Sequence, residues 1–72
     1  MKPPALAFSD YLEAYHERAG IMQYDARMDR PRAESLAALQ VRRLYAINSG
    51  IDVDNPDAVA FGNQIRKEGR VK

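Results

Sequence analysis

Three breaks marked by proline or glycine divide this chain into segments that each repeat their apolar residues at helical spacing. The breaks are Asp29-Arg30-Pro31, Ser49-Gly50 and Asn55-Pro56-Asp57. Two of them are helix starts: a small polar cap is followed by proline in the first turn, where the missing N–H costs nothing. The other is a helix end, because glycine takes the left-handed conformation that closes a C-terminus. Near the start, Pro3 and Pro4 hold the chain extended. These signals predict an all-α, three-helix domain with helices over 9–26, 30–48 and 55–68. The long second helix is the spine. An extended arm is expected over 1–8 and a mobile tail over 69–72.

The spacing also predicts which faces are buried. In the first helix, Phe8, Leu12, Tyr15, Ala19 and Met22 recur at three and four, flanked by Tyr11 and Ile21, with Ser9 or Asp10 as the cap. Gly20 weakens that helix or lets another approach closely. In the second, the inward stripe reads Ala33, Leu36, Ala37, Gln40, Val41, Leu44 and Ile47, with Leu39 and Tyr45 widening it. In the third it reads Ala58, Val59, Phe61 and Ile65. Ile51 and Val53 pin the loop before it to the core.

A chain of 72 residues is one domain, and it must hold together by packing alone, since it has no cysteine for a disulfide or a thiolate zinc site. A domain this small buries only about 60% of its unfolded surface. Alanine makes up 11 of its 33 hydrophobic residues, which leaves one thin core. A partner or a second copy would complete such a core. No stretch approaches the roughly 18 apolar residues of a membrane span. The opening Met1-Lys2-Pro3-Pro4 run does not read as a signal sequence. A cytoplasmic location is therefore expected.

No catalytic constellation stands out. His16 is the single histidine, so nothing supplies a second imidazole ligand. Asp52-Val53-Asp54-Asn55-Pro56-Asp57 looks briefly like a calcium loop, but Asp57 stands where that loop needs glycine and Asn63 where it needs glutamate. Helix capping accounts for those acids better. No phosphate-binding glycine loop is present. The expectation is a protein that is not an enzyme and uses no metal or cofactor.

Charge is distributed unevenly. The net charge is +1, yet Arg27, Arg30, Arg32, Arg42 and Arg43 face only Asp29 and Glu34 in their stretch. With Tyr24 and Tyr45, these arginines form the candidate partner-binding surface, since tyrosine and arginine are what interfaces favour. A helix-turn-helix is the alternative. Residues 17–39 resemble its first two helices, and Asn63, Gln64, Arg66 and Lys67 are candidate base or phosphate contacts on the third. Against it, the second helix runs on through Asn48, and the next connection is too long for the standard turn.

Glu17, Arg18, Ala19, Ile21, Tyr24 and Asp25, followed after a loop by Ala33, Glu34 and Ala37, carry a resemblance. The pattern resembles a helix-loop-helix segment in small uncharacterised helical proteins, and in the tails of larger ones, encoded by bacterial phages, plasmids and integrated elements. It covers about a third of the chain. Ala26 and Arg27 stand where the pattern has glycine. The resemblance implies a context, that of a mobile-element accessory protein, and attaches no catalytic residue. The expected function is binding and modulating, even inhibiting, a host or element-encoded protein. A small dimeric DNA-binding regulator is the second expectation, and a homo-oligomerisation module the third.

Overall fold

The computed structural model describes residues 6–70, with the side chain of the last of these excluded. Three helices follow one another: α1 (Phe8–Tyr24), α2 (Arg30–Ser49) and α3 (Pro56–Arg70). Among the described residues there is no strand. The fold is therefore the small all-α three-helix domain that the breaks predict. The expected arm over 1–8 lies mostly outside the described residues, and α1 already begins at Phe8.

Local chemistry explains the ends. Asn55 Oδ1 accepts a hydrogen bond from the Asp57 N–H at 2.9 Å, so Asn55 caps α3 with Pro56 as its first residue. Gly50 closes α2 at φ 69°, and the Ile51 N–H reaches back to the Ala46 carbonyl at 3.0 Å. That backward bond satisfies an otherwise orphaned carbonyl. Asp29 is the N-cap residue of α2 by backbone geometry, but its side chain makes no capping bond. The start of α1 differs from expectation. Neither Ser9 nor Asp10 is the cap: Ala7 is, and it has no side-chain oxygen. Asp10 instead sits in the first turn and accepts from the Ala7 N–H at 2.9 Å. The helix starts early because the Phe8 ring packs edge-on against Phe61 at 5.9 Å.

The core centres on Tyr11, Tyr15, Ala37, Ala38, Val41 and Ile65. Tyr45 stacks flat on Phe61 at 4.0 Å, and Tyr11 meets Phe61 edge-on at 5.0 Å. Offset and edge contacts of this kind add to the burial of apolar area. Asn48 Nδ2 donates to the Tyr11 hydroxyl at 3.2 Å, tying the end of α2 to the start of α1. Three of the four tyrosines thus serve the interior or its border. Only Tyr24 is strongly exposed.

The burial of α2 departs from the expected stripe. Ala33, Glu34, Ala37, Ala38, Val41 and Ala46 are buried, while Gln40 and Ile47 face solvent. The reason is steric. The large rings of Tyr11 and Tyr15 need small residues opposite, so the alanine side of α2 turns inward and its larger aliphatics border the core. Glycine is used the same way, though not where expected. Nothing lies within 4 Å of a Cβ built on Gly20, so no helix approaches there. The close approaches are at Gly62, where that Cβ would lie 3.2 Å from Arg42 Cβ, and at Gly69, where it would collide with the Tyr15 ring. Packing of Gly69 on Tyr15 also explains why α3 continues to Arg70 instead of ending at 68.

Candidate binding surfaces

The candidate partner-binding residues divide into three groups. Tyr24, Arg27, Arg30 and Arg32 all lie near the end of the molecule where α1 turns into α2, and all four are exposed, but only Tyr24 and Arg30 share a depression, which His16, Glu34 and Gly69 also line. Tyr24 is 77% exposed. Arg27 occupies the turn with φ 55°, a left-handed conformation that suits glycine better than a side chain. It is one of the two positions where the resembled pattern carries glycine. Arg30 Nε pairs with Glu34 Oε2 at 3.2 Å, one helical turn along.

Arg43 lies apart from this end. It shares the outward face of α2 with Arg32, about 16 Å away along the axis. Between and beyond them on the same face stand Leu36, Leu39 and Ile47, at spacings of three and four. Ile47 is 75% exposed. On the side of the α1–α2 pair that α3 does not line, Ala14, Glu17, Arg18, Ile21 and Leu44 border a depression of about 260 Å³. Ile21 is 52% exposed. A basic, aliphatic face therefore runs along the outside of the helical pair.

Arg42 and Tyr45 do not join that face. Arg42 Nε donates to the Val53 carbonyl at 2.8 Å and Nη2 to Asp54 at 3.2 Å. These bonds pin the loop before α3 onto α2, with Ile51 and Val53 half-buried beneath it. Tyr45 belongs to the aromatic cluster.

The four candidate nucleic-acid contacts separate as well. Asn63 and Arg66, one turn apart, lie on the flank of α3 that faces α2. Gln64 lies across the buried Ile65 seam from them, and Lys67 points outward. Asn63 and Arg66 instead join Ser35 and Arg42 around a cleft of about 210 Å³ between α2 and α3, floored by Ala38 and Gly62. Sequence spacing did not bring Ser35 into any site, nor connect Arg42 with Arg66. The outward row on α2 had one legible signal: Leu36 and Ile47 lie on the side away from Ala37 and Ala38.

Among the described residues, no group of three histidine, aspartate or glutamate side chains could hold a metal ion. His16 is exposed, its ring 5.4 Å from that of Tyr15. No described helix is long and apolar enough to cross a membrane. No family profile matches the chain, and neither the curated proteins nor the solved structures contain a significant match to it.

Proposed function

We propose that this chain is a non-enzymatic accessory protein, of the kind that phages and mobile elements encode, that binds and modulates a cytoplasmic partner protein. One observation carries the reading: an outward row on α2 that sets the exposed Ile47 among Arg32, Arg43 and two leucines, with a depression bordered by Leu44 and the exposed Ile21 on its α1 side. Aliphatic side chains gathered on one face and rimmed by charge are what a partner surface covers. The charge defines the complement, a partner that presents carboxylates around an apolar ridge. Tyr24 and Arg30 lie off that face, around a separate depression at the inter-helix turn that Gly69 of α3 also borders. Inhibition would follow if the covered partner surface were itself functional.

The test is recovery of a partner with the tagged chain from its source cell, identified by mass spectrometry. A double variant, Arg32→Glu with Arg43→Glu, is expected to keep its helicity and lose the partner. Retention of the partner by that variant, or no specific partner at micromolar concentration, refutes the reading. The second reading, a small dimeric DNA-binding regulator, has less support. Its candidate contacts do not fall in one row, and α3 lays Ala58, Gly62, Ile65 and Gly69 inward. A mobility shift whose affinity falls steeply with salt would favour it.

A further inference from the structure

The cleft between α2 and α3 has a composition that the protein-binding face does not explain. Its polar lining is Ser35, Arg42, Asn63 and Arg66, and no carboxylate lines it. Arg66 makes no hydrogen bond or ion pair among the described residues, and its Nε is buried without a partner. A buried, unsatisfied nitrogen on a cation is costly to maintain, and a ligand that supplies an acceptor offsets that cost. Arg42 is held at the opposite wall by Val53 and Asp54 through Nε and Nη2, which leaves Nη1 uncommitted. Asp54 is 83% exposed and bonds Arg42 from outside the cleft. The acids of α3, Asp57 and Glu68, lie on its other flank. Arg32 and Arg43 stand one turn from Ser35 and Leu39 and add positive potential at the mouth.

We propose that this cleft is an oxyanion site that takes a phosphate group. Two guanidinium groups on facing helices suit a tetrahedral dianion, which accepts from several directions at once. The Ser35 hydroxyl and the Asn63 amide supply neutral donors at the rim. Gly62 is what lets the two walls approach, because a side chain there would press on the Arg42 stem. The site adjoins the partner surface at Leu39, but Asn63 and Arg66 on α3 lie outside that surface, so variants at these two positions test the cleft separately.

The test is titration of the isotope-labelled full chain with inorganic phosphate at constant ionic strength, followed by NMR, with acetate as the parallel arm. Saturable shifts are expected at Ser35, Asn63 and the Arg66 Nε–H, with acetate much weaker. Arg66→Gln is expected to weaken phosphate binding at least about tenfold, the scale of one charged hydrogen bond. Arg66→Lys retains the charge and loses the fork, so an intermediate loss is expected. Asn63→Ala, at an exposed position that folding does not depend on, gives a smaller loss. Absence of saturation, an unchanged affinity in Arg66→Gln and Asn63→Ala, or equal binding of acetate overturns the proposal. The free-phosphate result also separates the sources: a phosphorylated macromolecule would bind more tightly than inorganic phosphate yet shift the same three residues.

Discussion

Gly69 offers the sharpest test of the packing, because two effects of known sign oppose each other there. Gly69→Ala removes the backbone freedom of glycine in a helix, which by itself stabilises by about 1 kcal/mol. Against this, the new methyl would occupy the space of the Tyr15 ring. Tyr15 is 1% exposed and belongs to the core cluster, so shifting its ring toward the depression it borders gives up packing against α2. Overpacking of this kind costs about 1–3 kcal/mol. The position is near the end of α3, where fraying reduces the propensity gain, so the steric term wins. A net loss of about 1–2 kcal/mol is expected, or a melting temperature lower by roughly 4–16 °C in a domain of this size. Gly20→Ala is the control. It makes the same chemical change in α1, where nothing lies within 4 Å, so it should raise stability by about 0.5–1 kcal/mol. Thermal and urea unfolding followed by far-UV circular dichroism reads both. If Gly69→Ala melts at or above the parent temperature, α3 does not rest on Tyr15.

Three further outcomes follow from single contacts. Arg27→Gly relieves a side chain held at φ 55°; the gain is about 0.5–1 kcal/mol after the added freedom of the unfolded chain is subtracted, and urea midpoints should rise without a change in slope. Arg42→Met removes the bond to the Val53 carbonyl and should cost about 1.5–3 kcal/mol, whereas Asp54→Ala, losing only a solvent-screened pair, should cost less than about 1 kcal/mol; equal losses would mean that the ion pair and not the backbone bond holds the loop. Asn55→Ala should cost about 1 kcal/mol through its capping bond, while Asp29→Ala, whose side chain makes none, should cost only a few tenths; amide exchange in the first turns of α3 and α2 would report the difference.

Much of this protein is decided within a few residues. Pro31, Gly50 and Asn55-Pro56 act through their own backbone geometry and nearest neighbours, so the number, order and approximate limits of the helices were legible in the chain. The early start of α1 and the late end of α3 were not, because each is set by a distant aromatic contact, Phe8 on Phe61 and Gly69 on Tyr15. The candidate surface divides along the same line. Arg27, Arg30, Arg32 and Arg43 are exposed, as a stretch with more arginines than acids implies. Arg42 looks the same in sequence but is drawn aside by a carbonyl 11 residues away.

The sequence alone therefore determined a three-helix chain whose breaks, caps and excess of arginine are local properties. Tertiary structure decided which side of α2 faces inward. Apolar residues surround most of that helix, so periodicity alone leaves its rotation open. The bulk of Tyr11 and Tyr15 selects the alanine side, and that choice pushes Ile47 into solvent and sets Arg42 across a cleft from Arg66. Rotation of a helix depends on the volume its neighbours leave, and no stretch of the chain carries that quantity by itself.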